Sequence, residues 1–407
     1  MTLRDLASVL CGALLTASIL GAQSSVADTA RIPFIYDDAR IFVPIGINRD
    51  PPRWLILDTG APDVMLDADL ARGLGIAGVD AGRTGGAGQG SMAIAHASGA
   101  TLRIGTVSLG AVDVNVAPID SVLAAFGGRA ALGVVGAPLF SRHVVELDFS
   151  SSTMTVRDPD TFRYRGHGIV LPLQFVGGLP MVEARLAPSS TAAAIPMKVL
   201  VDIGAKATLL VTEPFIAAHD LIHQFAHRVE SPLGAGVGGE TRYAFARAAS
   251  LTLVDSAGGA SAALSDPVVG LSVRGTLKSD WCDGLLGAEF LHAYRVIFDY
   301  AHRSLILEPR DTEPKAAEYD MSGMFIMSDR VDHHRFTVHE VLSDGPAAHG
   351  GLRVGDRVVS VDGRPATSLT LGELRNVLRS TPGRDVVLTV ERDGATLRRT
   401  VRLVRLV

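Results

Sequence analysis

The stretch Trp54-Leu55-Ile56-Leu57-Asp58-Thr59-Gly60-Ala61 decides how this chain is read. Four apolar residues bounded by a glycine turn predict a buried strand. That strand delivers Asp58 to its C-terminal tip, where Thr59 and Gly60 must turn the chain. A lone buried carboxylate is unfavourable, so Asp58 needs hydrogen bonds or a function. The same grammar returns at Met197-Lys198-Val199-Leu200-Val201-Asp202-Ile203-Gly204-Ala205. Two strand-end aspartates in matching settings point to a pair built to meet.

Around these landmarks the order of elements repeats. In the first half, Ile41 to Ile47 predicts a strand, Asp67 to Gly75 a short helix, and Gly82 to Gly99 a glycine-rich stretch. Val134-Val135-Gly136 and Val144 to Phe149 follow. In the second half the sequence is a strand at Met181 to Leu186, Asp202-Ile203-Gly204, a helix from Glu213 to Leu221, and a glycine-rich run from Gly234 to Gly239. Leu285-Leu286-Gly287 and Arg295 to Tyr300 complete it. The aspartates stand 144 positions apart and the later glycines, Gly136 and Gly287, 151 apart. A repeat of this length is a duplicated domain, not a solenoid. The expected division is a signal segment 1–27, a first lobe 31–160, a second lobe 166–310, a polar linker 311–318 and a third unit 319–407.

Composition bounds the rest. At 407 residues, with 47% apolar and 20% charged residues, the chain has ample core for two to three domains. A net charge of −5 gives no basic footprint for nucleic acid. Arg4, the apolar run Ala7 to Ala22 and Ser25-Val26-Ala27 read as an export signal. The expectation is a periplasmic or secreted monomer with no membrane span after cleavage, an uncleaved N-terminal anchor being the other reading. Once that segment is gone only Cys282 remains, so no intramolecular disulfide is available.

Two carboxylates a few ångströms apart cannot both ionise cheaply, so a pair shares one proton. One member takes a proton from water while the other donates to a carbonyl oxygen, which hydrolyses an amide without cofactor or metal. Gly86-Ala87-Gly88-Gln89-Gly90 suits a mobile flap that closes over the cleft. Together, Leu57-Asp58-Thr59-Gly60-Ala61, the glycine-rich flap and Val134-Val135-Gly136 resemble retropepsin-like aspartic proteases. Asp202, Gly234 to Gly239 and Leu285-Leu286-Gly287 repeat the set. The resemblance implies a mainly β fold of two homologous acid-protease lobes in one chain, of the exported bacterial type. It makes Asp58 and Asp202 the catalytic dyad, Thr59, Gly60, Ile203 and Gly204 the active-site turns, and Gly86, Gly88, Gly90, Gly236 and Gly238 parts of two flaps. It also implies a hydroxyl after each aspartate that hydrogen-bonds across the lobe interface. Ile203 departs from that pattern and leaves the second half of the brace without a donor.

The third unit contains Ser343-Asp344-Gly345-Pro346-Ala347-Ala348, then Gly351-Leu352-Arg353-Val354-Gly355-Asp356, then Val359-Ser360-Val361-Asp362-Gly363. These resemble a PDZ domain, an α/β module. Ser322, Gly323, Met324 and Phe325 sit where that family keeps its carboxylate-binding loop, so the implied ligand is a chain terminus adding as a strand beside Phe325-Ile326-Met327. Packing against the lobes is the competing use. Two function classes follow: an aspartic endopeptidase acting on a polypeptide substrate, or a catalytically silent peptide-binding adaptor, motivated by Ile203. His219 and His223, with His227 beyond, imitate a helical zinc motif and are read as solvated histidines; Cys282 is read as a buried thiol.

Overall fold

The computed structural model describes residues 29–86, 88, 90–225, 227–236, 238–255, 261–273, 277–278, 280–310 and 315–407. The expected export signal lies outside the described residues. Among the described residues the chain is mainly β, and no helix is long and apolar enough to cross a membrane.

The strand Arg53–Leu57 lies parallel to Gly133–Val135, with Ile56 opposite Val134 and Leu57 opposite Val135. Parallel strands need a long crossover, and the intervening chain returns as Val64–Asp67, antiparallel to the other side of Gly133–Val135. Asp58 leaves the strand tip with its amide still donating to Val135 O at 3.0 Å. The second lobe repeats this arrangement. Ile195–Val201 runs parallel to Gly284–Leu286, Leu209–Val211 runs antiparallel to it, and the Asp202 amide donates to Leu286 O at 2.9 Å. Gly136 and Gly287 recur for a steric reason. A Cβ there would stand 2.0 Å from Ala61 O or 2.1 Å from Ala207 O, far inside contact distance.

A six-stranded sheet joins the lobes, in the order Thr29–Pro33, Thr153–Arg157, Val144–Asp148, Tyr294–Asp299, Ser304–Pro309, Ile169–Pro172. At its centre Val145 faces Phe298, Glu146 faces Ile297 and Leu147 faces Val296. With landmarks 151 positions apart, this register is its own two-fold image, so the sheet carries the pseudo-dyad that brings the aspartates together. Glu146, buried on that axis, accepts from Arg157 at 3.0 Å and from Arg295 at 2.5 Å, which ties strands of both lobes to one carboxylate.

The PDZ-like unit has its own core, centred on Phe336, Leu374, Val386 and Leu388. Its helix Leu371–Leu378 opens with a capping box in which Thr370 and Glu373 satisfy each other's amides. Between that helix and the edge strand Met324–Ser328 lies the groove in which an added peptide strand would sit. The lobes already cover it. The first-lobe helix Asp120–Gly127 packs on the edge strand, Phe126 lies 6.1 Å from Phe325, and Ser328 Oγ donates to Ala125 O at 3.2 Å. Arg375 reaches from the helix to Ile326 O at 2.7 Å and to Phe126 O at 3.0 Å.

Arg375 also pairs with Asp38 of the first lobe, and Lys206 of the second lobe pairs with the same carboxylate. Burial alone would raise Asp38, but Arg375 and then Lys206 hold it well below the usual carboxylate range. Lys206 loses more to burial than Asp38 returns, and is pulled down to about 7. One buried anion therefore joins all three units. Arg375→Met should destabilise the docked state by about 3–5 kcal/mol, the range for stranding one partner of a buried pair. The measurement is chemical denaturation together with tryptic cleavage at Lys315, which should accelerate as the PDZ-like unit detaches.

Candidate active site

Asp58 and Asp202 meet at the floor of an open cleft of about 690 Å³ between the lobes. Each carboxylate rests on the other lobe's turn. A Cβ on Gly60 would lie 2.7 Å from the Asp202 carboxyl carbon, and one on Gly204 would lie 2.4 Å from that of Asp58. Only glycine permits this approach. The Gly60 amide donates to Asp58 Oδ1 at 2.7 Å. The Gly204 and Ala205 amides donate to Asp202 Oδ1 at 2.9 and 3.2 Å. These contacts hold both carboxyl groups in register across the pseudo-dyad.

The two aspartates hydrogen-bond to each other, and their environments set their charges apart. Burial raises Asp202 well above the usual carboxylate range; the neighbouring Asp58 charge raises it further. Burial raises Asp58 too, but the hydrogen bond from Asp202, the Gly60 amide and the positive Arg40 pull it back. The pair therefore holds one shared proton, and Arg40 and the Gly60 amide favour the ionised form at Asp58. Such a pair can abstract a proton and donate one in the same step.

Thr59 braces the pair from beneath. Its hydroxyl donates to Val201 O at 2.6 Å and accepts from the Ile203 amide at 3.0 Å, both across the lobe interface. The second half of the brace is absent, as Ile203 implies. That side chain is fully buried and joins the main core with Leu57 and Val201. Apolar packing stands there in place of a hydrogen bond.

The two glycine-rich stretches come together over the cleft. The hairpin of Val79–Gly85 and Ser91–Ile104 meets the hairpin of Arg228–Gly236 and Gly239–Arg247, and the Gly90 amide donates to Gly238 O at 2.9 Å. A Cβ on Gly88 would fall 2.4 Å from the Gly239 nitrogen, so side chains at these tips would hold the flaps apart. Gly86, Gly88 and Gly236 line the cleft roof. Both lobes therefore contribute a flap.

Several cleft residues escape local motif reading. Arg40, Lys206, Tyr243 and Trp281 line the space. Tyr243 is 1% exposed, and burial followed by the Asp202 charge raises its phenol. Cys282 also faces the cleft, but burial pushes its thiol up to about 12, against use as a nucleophile. The His219–His223 segment is not one helix. Asp220, at φ +50°, separates Glu213–Ala218 from Leu221–Gln224, so the two imidazoles do not share a face. His219 lies tilted against Phe215, ring centroids 4.4 Å apart, and His223 pairs with Asp220.

In the PDZ-like unit, Asp320 already accepts from the Ser322 and Gly323 amides at 2.9 Å each, and Ser322 Oγ accepts from the Met324 amide at 3.2 Å. Gly323, Met324 and Phe325 of this loop line a cavity of about 70 Å³ against the second lobe. The donors that would hold a terminal carboxylate are engaged within the chain.

Comparison with known proteins agrees with both halves of this description. The aspartyl protease family model matches residues 43–139, and the PDZ domain model matches residues 337–392. A 59-residue stretch is 46% identical to "Probable periplasmic serine endoprotease DegP-like" of Pseudomonas fulva (strain 12-X), covering 14% of this chain and 12% of that protein. A 60-residue stretch is 42% identical to "Serine endoprotease DegS" of Escherichia coli (strain K12), covering 15% of this chain and 17% of that one. These matches concern the PDZ module alone. Among solved structures, the aspartic proteinase from Irpex lacteus aligns with a TM-score of 0.44 at 16% identity, over 69% of this chain and 97% of that one.

Two outcomes test the site. Thr59→Val strands Val201 O and the Ile203 amide, so unfolding free energy should fall by about 1–3 kcal/mol for each group left unpaired. Asp202→Asn should act in the opposite direction. A carboxyl raised in the folded state opposes folding once pH exceeds the usual carboxylate range, and the full deficit is present above its folded value. The asparagine variant should therefore melt higher than wild type at neutral pH and no higher at about pH 3, where both side chains are neutral.

Proposed function

We propose that this chain, which joins an aspartyl protease-like domain to a C-terminal PDZ domain, is an aspartic endopeptidase whose dyad is Asp58 and Asp202. The observation that carries the reading is the reciprocal seating of the two carboxylates, each against the glycine of the opposite turn. In the reaction, Asp58 takes a proton from water while Asp202 gives its proton to the scissile carbonyl oxygen. The water oxygen bonds to the carbonyl carbon and forms a neutral diol. Asp58 then passes its proton to the amide nitrogen as Asp202 recovers one from the diol. The C–N bond breaks, and the pair returns to its starting charge. No covalent intermediate or metal is needed. Closed flaps exclude bulk water and strengthen the electrostatics of this step.

The PDZ domain is read as a regulatory partner of the lobes, because its groove holds a first-lobe helix and its loop amides are engaged internally. The N-terminal segment supports an exported, periplasmic or secreted monomer. A second reading, a silent peptide binder, draws on Ile203 and the missing half of the brace.

Cleavage of a diverse peptide pool, followed by mass spectrometry, is the deciding measurement. Asp58→Asn should reduce turnover by about 10²–10⁴-fold or more; undiminished cleavage overturns the dyad. The pH profile of kcat/KM should be bell-shaped, lost at low pH as Asp58 protonates and at high pH as Asp202 ionises. Both groups are raised, so the window should lie above that of an unperturbed carboxylate pair. Ile203→Thr should change kcat/KM by less than about tenfold. A far larger gain from a near-zero baseline would favour the silent binder.

A further inference from the structure

Arg40 opens the strand Arg40–Ile47, in which side chains alternate between faces. Ile41, Val43, Ile45 and Ile47 enter the main core, whereas Phe42 joins the cluster with Ile56 and Leu123 on the cleft side. Arg40 shares the face of Phe42 and lines the cleft. It is 7% exposed, and its guanidinium donates to Ala235 O at 3.5 Å, the long end of hydrogen-bonding distance. Among the described residues it forms no ion pair within 4.0 Å. The nearby Asp38 is already engaged by Lys206 and Arg375. Three buried cations thus gather around one carboxylate. Lys206, pulled down to about 7, can shed its proton, whereas Arg40 as an arginine keeps its charge beside the cleft.

The lobe repeat places no charge at the second-lobe position equivalent to Arg40. Phe42 pairs with Ile56 in the first lobe, and Met181 pairs with Leu200 in the second. Ile56 and Leu200 are equivalent by the 144-residue offset of the aspartates, so Leu179 is the counterpart of Arg40. The second-lobe wall of the cleft carries Leu200, Leu210, Tyr243 and Leu285, together with Lys206, which Asp38 already holds, and Lys278. The two sides of the dyad offer unlike surroundings.

We infer that Arg40 is a specificity-determining residue that receives a substrate carboxylate on the first-lobe side of the dyad, while the second-lobe side takes an apolar side chain. A guanidinium fork matches a carboxylate in bidentate geometry, and the low-dielectric setting strengthens the pair. The carboxylate can come from an acidic side chain or from a chain terminus. The inference deepens the endopeptidase reading in naming its substrate class, but the binding it describes does not require turnover.

The experiment uses the full mature chain and quenched peptides in matched pairs, Glu against Gln at each position around the scissile bond and free against amidated C-termini. Wild type should prefer the carboxylate by tenfold or more in kcat/KM at one subsite, and Arg40→Met should bring that ratio close to one. The Glu arm identifies a side chain as the source, and the free-terminus arm a chain end. Should Arg40→Met fail to fold, Arg40→Lys keeps the charge without the fork and should cut the ratio several-fold. Wild type without any carboxylate preference overturns the inference. So does an unchanged ratio in both variants, or a shift of the acid limb alone that is equal for both peptides, which would make Arg40 only a tuner of Asp58. Fluorescence anisotropy with Asp58→Asn separates this test from that of the dyad. Absent cleavage with a Glu-over-Gln binding preference that Arg40→Met removes would retire the protease reading and keep the carboxylate site. Cleavage with no preference in either assay would do the reverse.

Discussion

Two carboxylates held against each other in a buried setting are the constraint on which the rest of this structure turns. Each carboxyl is held by the amides of its own turn and lies against the glycine of the other lobe's turn. The six-stranded sheet answers that requirement with a register that is its own two-fold image. Its central carboxylate, Glu146, draws arginines from both lobes onto the axis. The fold therefore spends its symmetry on the one place where like charges must meet, and there a shared proton relieves the repulsion.

Symmetry is broken where chemistry needs it broken. Thr59 and Ile203 occupy equivalent positions, yet one hydrogen-bonds across the interface and the other fills core volume. Arg40 and Leu179 are equivalent as well, and the charge of Arg40 falls on the Asp58 side alone. The first difference changes how the turns are braced, the second the charge beside the carboxylates. Arg40 favours the ionised form at Asp58, although the strand pairing around the two aspartates is the same. A duplicated lobe supplies the geometry, and a few side chains distribute the roles.

Much of this was legible in the sequence because the informative signals were local and occurred twice. A buried strand ending in Asp and Gly, a glycine-rich hairpin tip and an apolar pair before glycine are each short patterns. Their repetition in order raised them above chance. The PDZ domain was readable for the same reason, through turn residues at fixed spacings. What escaped was decided by distant contacts. Asp38 meets Lys206 and Arg375 across separations of 168 and 337 residues. The helix Asp120–Gly127 gave no motif to follow. Only strand alternation hinted at Arg40, as a charge on the face that Phe42 shares. The loop Ser322-Gly323-Met324-Phe325 was identified by position, but Asp320, two residues earlier, decides where its amides point.

The Asp38 junction gives the PDZ domain a physical route to the cleft. Arg375 spans the PDZ groove and holds Asp38, and Asp38 in turn holds Lys206, four residues beyond Asp202. Any ligand that adds a strand beside Met324–Ser328 must displace the Asp120–Gly127 helix and release Ile326 O from Arg375. Arg40 feels both Asp38 and Arg375, so the charges at this junction also reach the Asp58 side of the cleft. Arg375 and Asp38 thus stand in direct contact between the groove and the cleft.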